Sequence, residues 1–309
     1  MKRVLVTGAT GFIGRHCLAP LAARGYDVHA VTSHQPVGVD PSVTWHRADL
    51  LESGQLAPLI EQVRPTHLLH LAWVVDPRTA YTSLDNYRWL QATIGLTTEF
   101  ARRGGKRLVI TGSCYEYDQS YGVCSEQRTP TQPNTTYGTC KNALRELLTS
   151  YCQSLKISLA WPRLFFLYGP GEHPLRLVPS VANAVLRGEV AKCSHGKQLR
   201  DFLYVEDAGE GLAALLSADV QGAINIGSGS AVALSEIVTK LGELAGRPDL
   251  IELGAIPARD TDVPLVMADT TLMKQQLDWS PRIGLKVGLG RTLNWWRQQI
   301  DRGQASDAA

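Results

Sequence analysis

The stretch TTYGTCK, residues 135–141, places Tyr137 four residues before Lys141. Apolar residues at Cys140, Leu144, Leu147, Leu148 and Tyr151 recur at helical spacing. The pattern predicts a helix, capped near Asn134 or Thr135 after Pro133. Residues four apart share a helix face, with Cβ atoms about 5–6 Å apart. A tyrosine ionises near pH ~10, too high for acid–base work at neutrality. A neighbouring ammonium favours the phenolate and draws the phenol toward the working range. Tyr-x-x-x-Lys also fits an ordinary turn of polar helix, so its weight depends on what stands beside it.

The companions are a glycine turn and a serine. TGATGFIG, residues 7–14, sets Gly8, Gly11 and Gly14 between a strand and a helix. Missing side chains let the backbone approach a pyrophosphate, and the helix N-terminus favours its charge. A dinucleotide without a 2′-phosphate is usually held by an acid ending the second strand, about 20 residues on. That strand here ends at Thr32, Ser33 and His34, with no carboxylate to repel a phosphate. Arg15 is a cation within reach of one, so NADP(H) is favoured over NAD(H). Asp49, after the third strand, is a plausible acceptor for the adenine amino group. Ser113 ends the strand KRLVITGS, shortly before the Tyr–Lys helix.

The elements that must hold these groups alternate along the first half of the chain. Strands are expected in RVLVTG, DVHAVT, VTWHRA, THLLHLA and KRLVITGS. Between them lie the helical segments FIGRHCLAPLAARG, GQLAPLIEQV and SLDNYRWLQATIGLTTEFARRGG. This alternation predicts an α/β fold, a doubly wound parallel sheet of Rossmann type. The later half, punctuated at YGPGEHP, IGSGS, GRPDL and RDTDVP, predicts a smaller C-terminal substrate domain. The expected division is residues 1–165 for the dinucleotide and 166–300 mainly for the substrate, with room for strands to return to the first unit. Residues 301–309 are expected to be a frayed tail.

Bulk properties exclude several classes. The 309 residues are 44% hydrophobic and 19% charged, with a net charge of +2. No broad basic face points to nucleic acid. No apolar run approaches the roughly 18–20 residues of a membrane span. A strand within the first residues leaves no room for a signal peptide, and the six scattered cysteines read as reduced thiols. The cytoplasm is the expected compartment, and neither a metal nor a disulfide framework is expected.

Together, TGATGFIG, Ser113, Tyr137 and Lys141 resemble the extended short-chain dehydrogenase/reductase family, in the branch acting on nucleotide-diphosphate sugars. RDFLYVEDAGEG, NIGSG and RDTDVP are similar to its substrate-domain landmarks and occur in the same order, so the resemblance covers nearly the whole chain. It implies that Tyr137 exchanges the proton on the sugar oxygen and that Ser113 hydrogen-bonds the same oxygen. It also implies that Lys141 tunes Tyr137 and holds the nicotinamide ribose. The cofactor surface it implies adds Phe12, Ile13, Leu50, Leu71 and Ala72 to the residues above. Phe165 falls where the family packs against the nicotinamide, though a plain core aromatic is an equal reading. Arg200 and Arg259 match phosphate-binding positions, and guanidinium suits bidentate phosphate recognition. Tyr115 and Val178 complete the implied substrate surface. A homodimer is expected.

One departure is informative. Dehydratases of this family carry an acidic pair immediately after the hydroxyl residue that Ser113 matches. This chain has Cys114 and Tyr115, and Glu116 comes one place late, on a strand expected to turn it to the opposite face. Dehydration is disfavoured, leaving hydride chemistry at a carbinol or ketone. The favoured reading is reduction of a nucleotide-linked 4-keto-6-deoxyhexose. A 4-epimerase retaining NAD is the alternative, and a dinucleotide-sensing regulatory protein is a third. The long tyrosine-rich loop after Ser113 is expected to wall the sugar pocket.

Overall fold

The structure is a computed structural model and describes residues 2–35, 41–74, 76–258 and 263–303. The elements run β1 (Lys2–Thr7), α1 (Arg15–Ala23), β2 (Tyr26–Thr32), β3 (Thr44–Arg47), α2 (Ser53–Val63), β4 (His67–His70) and α3 (Asp85–Arg102). Next come β5 (Arg107–Ile110), β6 (Gly112–Ser113), β7 (Val123–Cys124), α4 (Thr136–Leu155), β8 (Ser158–Leu164), β9 (Phe166–Tyr168) and α5 (Leu177–Leu186). The chain continues through β10 (Ala191–Cys193), β11 (Leu199–Tyr204), α6 (Val205–Ser217), β12 (Gly222–Ile226), β13 (Ala231–Ala233) and α7 (Leu234–Ala245). It closes with β14 (Ile251–Leu253), β15 (Leu265–Ala268), α8 (Thr271–Gln276) and α9 (Leu285–Asp301).

The large sheet has the order β12-β8-β5-β4-β1-β2-β3, with β6 beside β8, and its pairings are parallel. β1 pairs with β2 on one side and β4 on the other, so the strand order reverses there. Such a switch point opens a crevice at the carboxyl ends of the strands, where ligands bind. The run Val4–Thr7 of β1 and the whole of β5 are buried, as expected for strands covered on both faces. One face packs Cys17, Leu18 and Leu21 of α1 against Leu212 and Leu216 of α6. The other packs α2, α3 and α4, with Leu144, Leu148 and Cys152 of α4 facing the sheet. Burying a leucine is worth about 1.5–3 kcal/mol. Leu144 and Leu148 therefore set the rotation of α4 about its axis, and with it the direction of Tyr137 and Lys141.

The second half of the chain does not stay apart. β12 returns to the edge of the large sheet beside β8, and α6 lies on α1. The remaining elements form a five-stranded sheet, β13-β11-β15-β7 with β9 beside β11, and a two-stranded pair of β10 and β14. Their apolar core is built from α5, α7 and α9 around Tyr168, Tyr204 and Leu241. β7 comes from the loop that follows Ser113, so that loop is stitched into the smaller sheet through β15. α9 extends through Asp301, which the sequence reading assigned to a frayed tail.

Candidate active site

The glycine turn sits at the switch point. Gly8 has φ +65°, and a Cβ there would lie 2.8 Å from the Ala72 nitrogen. A Cβ on Gly14 would lie 2.1 Å from the Gly8 carbonyl oxygen. Only glycine lets the turn fold this tightly against Leu71 and Ala72 at the end of β4. Thr7 Oγ1 accepts from the Leu71 and Ala72 amides at 3.1 and 3.3 Å, locking the two strand ends together. No side chain caps α1; the Arg15, His16 and Cys17 amides donate to the Gly11, Ile13 and Gly14 carbonyls at 3.3, 3.0 and 3.0 Å. Phe12 and Ile13 are half-buried on the turn, and Gly11 is exposed on its rim.

The adenosine end is less constrained. Thr32 is buried, while Ser33 and His34 are exposed beyond it. Leu50 is buried, and Asp49 Oδ1 accepts from the Leu51 amide at 2.9 Å. Arg15 differs from expectation. Its guanidinium folds back over the turn, donating to the Gly11 carbonyl at 3.1 Å and the Thr10 carbonyl at 2.8 Å. The turn's own carbonyls thus compete for the cation that was expected to reach a 2′-phosphate.

Thr135 caps α4, its Oγ1 accepting from the Gly138 amide at 3.0 Å. Lys141 is 2% exposed and donates from Nζ to the Thr111 carbonyl at 2.8 Å. Burial pushes its ammonium down to about 7, with Glu116 pulling the other way. Burial also pushes the Tyr137 phenol up, opposed by a hydrogen bond with the Ser113 side chain. The expected depression of the phenol by Lys141 is therefore not the dominant effect. The ammonium lies 6.0 Å from the Tyr137 ring centroid, and desolvation of the phenolate outweighs it. A protonated phenol is a proton donor.

Glu116 corrects a second expectation. It lies in a 3-10 turn, not on a strand, and is fully buried. Its Oε1 accepts from the Ser113 amide at 2.8 Å and from Trp161 Nε1 at 2.9 Å. Its Oε2 accepts from Arg163 Nε at 2.8 Å. Arg163 stacks 4.3 Å from the Tyr117 ring centroid, and the Tyr117 hydroxyl donates to Asn225 Oδ1 at 2.8 Å. A Cβ on Gly112 would collide with both Trp161 Nε1 and Glu116 Oε1. The carboxylate is a buried tie that holds Ser113 in place, and its oxygens are occupied.

The wall opposite the turn is aromatic. Tyr115 stands 4.5 Å from Tyr81, 6.3 Å from Tyr137 and 6.4 Å from Phe166, measured between ring centroids. Tyr81 stands 5.9 Å from Tyr137, and its hydroxyl accepts from Arg176 Nη1 at 3.1 Å. Arg200 is buried 5.7 Å from the Phe166 ring, on the same side as Tyr115. Its neighbour Asp201 faces the other way and accepts from the Ser228, Gly229 and Ala268 amides at 2.7, 3.0 and 3.1 Å. The adjacent acid therefore braces the NIGSG turn and leaves the Arg200 side of the strand to the site. Two expected contacts move into the core. Phe165 packs among Cys114, Tyr117 and Cys124, while Phe166, one strand position on, faces Tyr115. Val178 is buried with Tyr168 and Val181, because the first turn of α5 leans on the small domain's core. Arg259 lies outside the described residues.

Four residues near the site escaped the sequence reading: Trp73, Tyr81, Glu172 and Arg176. None belongs to a motif; Trp73 and Tyr81 meet the Tyr137 ring, Arg176 reaches Tyr81, and Glu172 feels the charge of Arg176. Glu172 is 8% exposed, its Oε2 has no hydrogen-bond partner, and burial pushes its carboxyl up to about 8. The six cysteines are free and buried. Among the described residues no side-chain cluster could hold a metal, and no helix is long and apolar enough to cross a membrane.

A parallel sheet of this order, with a glycine turn at its switch point and a Ser–Tyr–Lys set facing the crevice, defines an extended short-chain dehydrogenase/reductase. Residues 4–227 match the profile of the NAD dependent epimerase/dehydratase family, and the chain belongs to that family. It is 25% identical to UDP-glucuronic acid decarboxylase 1 of Xenopus tropicalis, over 97% of this chain and 73% of that protein. Among solved structures it resembles the UDP-glucose 4-epimerase of Thermus thermophilus in complex with NAD. That likeness has a TM-score of 0.85 and 27% identity, over 96% of this chain and 99% of the other. MoeE5 in complex with UDP-glucuronic acid and NAD is 32% identical with a TM-score of 0.84, over the same shares. The chain is thus an enzyme-family member with structural neighbours described in complex with NAD and, for MoeE5, with a UDP-sugar.

Proposed function

We propose that the protein is an NADPH-dependent reductase of a nucleotide-diphospho-4-keto-6-deoxyhexose. The observation that carries this reading is the tie on Glu116: the carboxylate nearest Ser113 is buried against Trp161 and Arg163, which leaves the Tyr137 phenol to donate to a carbonyl oxygen as hydride arrives. The nicotinamide group, when bound, supplies the hydride. Ser113 orients the sugar oxygen, Lys141 holds the ribose, and Tyr137 gives up its proton to that oxygen. Glu116 is not available for dehydration, because it is tied to Ser113, Trp161 and Arg163. Arg200 is the first candidate for the diphosphate, with Arg259 the second. Preference for NADPH rests on the missing acid at Thr32–His34, and NAD is the competing cofactor.

The second reading is a 4-epimerase that retains NAD. It is favoured by the likeness to a 4-epimerase and to MoeE5, both described in complex with NAD. The proposed setting is a cytoplasmic homodimer. Support for the dimer is the exposed apolar stripe of Leu147 and Leu155 on α4. The reaction is tested by supplying 4-keto-6-deoxy sugar nucleotides, made in place by a separate dehydratase, and following NADPH absorbance. Stoichiometric oxidation with a new 6-deoxyhexose supports the reductase. Interconversion of 4-hydroxyl epimers without net loss of NADPH replaces it with the epimerase.

A further inference from the structure

Lys141 carries its charge in an awkward place. Its side chain is 2% exposed, and a buried ammonium loses its proton readily unless something holds the charge. Glu116, the carboxylate whose charge it feels, is engaged with Arg163 at 2.8 Å. Two contacts reach the ammonium closely. One is the Thr111 carbonyl at 2.8 Å. The other is the face of Trp73, 3.8 Å from Nζ to the ring centroid. A cation within about 6 Å of an indole face is attracted by its quadrupole, most strongly where water is excluded.

The indole is held for this contact. Trp73 is 7% exposed, and its Nε1 donates to Asn86 Oδ1 at 2.7 Å. Asn86 is fully buried and donates in turn to the Ala80 and Ser83 carbonyls, both at 2.8 Å. Trp89 packs on one side at 6.4 Å, and Tyr137 meets the ring at 6.5 Å with an interplanar angle of 78°. Trp73 thus touches both members of the Tyr–Lys pair and is anchored through the segment that carries Tyr81.

We propose that Trp73 is a positioning residue of this site: its indole face holds the Lys141 ammonium charged and in place beside Tyr137. The inference rests on the cofactor-holding role given to Lys141 above. The other groups that face Lys141 leave the task to Trp73. Glu116, on the 3-10 turn, favours the charge but is shared with Arg163. His70, on β4, has Thr7 Oγ1 at 2.7 Å and Thr93 Oγ1 at 2.9 Å on its two nitrogens. Burial and Lys141 push His70 down to about 3, so it adds no charge. Tyr137 on α4 is protonated.

The sign follows. The π face favours the charged amine, so removing it lowers the pH at which the proton leaves. A desolvated cation–π contact corresponds to a shift of about 1–1.5 pH units. NADPH binding to the full chain is titrated by its own fluorescence across pH for wild type, Trp73→Leu and Trp73→Phe. Thermal melts at each pH report folding. Wild-type binding should weaken as pH rises through the point where Lys141 discharges, which burial and Glu116 set at about 7 and the indole face moves upward. In Trp73→Leu that midpoint should fall by about 1–1.5 units, and in Trp73→Phe by about half a unit, since its face is weaker. Below the transitions the three affinities should converge. A midpoint unmoved in Trp73→Leu, or a loss equal at every pH, overturns the proposal. Should Trp73→Leu not fold, an unmoved midpoint in Trp73→Phe overturns it. Because the readout is binding, it stands even if no keto sugar is reduced.

Discussion

Replacing Glu116 by glutamine separates a structural carboxylate from a catalytic base. In the wild type its two oxygens accept from Ser113, Trp161 and Arg163, and Arg163 is 2% exposed. Glutamine keeps one carbonyl oxygen but leaves the guanidinium buried without a counter-charge. Breaking one side of a buried ion pair costs about 3–5 kcal/mol. At about 2–4 °C per kcal/mol for domains of 150–250 residues, the melting temperature should fall by roughly 6–20 °C. Ser113 keeps an acceptor for its amide, so turnover measured well below the transition should fall less than about tenfold, short of the 10²–10⁴ of a lost acid–base group. The assay pairs thermal unfolding by circular dichroism with initial rates on the 4-keto sugar nucleotide. A further Arg163→Met change should recover part of the lost stability, because it removes the stranded charge. An unchanged melting temperature with a hundredfold loss of turnover would refute the reasoning and restore Glu116 as a base.

Three further outcomes are expected. Tyr137→Phe should lower turnover by about 10²–10⁴-fold while NADPH binding, measured by fluorescence, survives. Ser33→Asp should shift the ratio of NADPH to NADH affinity toward NADH, as a carboxylate at the second strand's end repels a 2′-phosphate; equal wild-type affinities would count against the NADPH preference. Glu172 has its carboxyl raised from 4.5 to about 8, so its neutral form favours the fold fully below about pH 4.5 and that contribution is lost as pH rises through about 8. Glu172→Gln should therefore gain melting temperature relative to wild type across that window, and a constant difference would show that the carboxyl does not titrate there.

Local chemistry was enough for the parts of this protein that depend on near neighbours. The glycine turn could be read because Gly8 and Gly14 answer to backbone crowding within a few residues and at one strand end. The phase of α4 followed from the apolar spacing of Cys140, Leu144 and Leu148, and the Thr135 cap from its place before the helix. Tyr137 and Lys141 share a face by helical geometry alone. The other assignments turned on which surface a residue meets far along the chain. Strand periodicity says that Phe165 and Phe166 face opposite ways, but not which way is inward. That depends on the cluster of Cys114, Tyr117 and Cys124 packed from the loop after Ser113. Asp201 could have paired with Arg200 by adjacency, and instead the turn at 227–229 returns to claim it. Glu116 became a buried tie because β8 brings Trp161 and Arg163 to it across 45 and 47 residues. Trp73, Tyr81 and Arg176 carry no spacing signal, since Trp73 and Tyr81 meet Tyr137, and Arg176 meets Tyr81, only through tertiary packing.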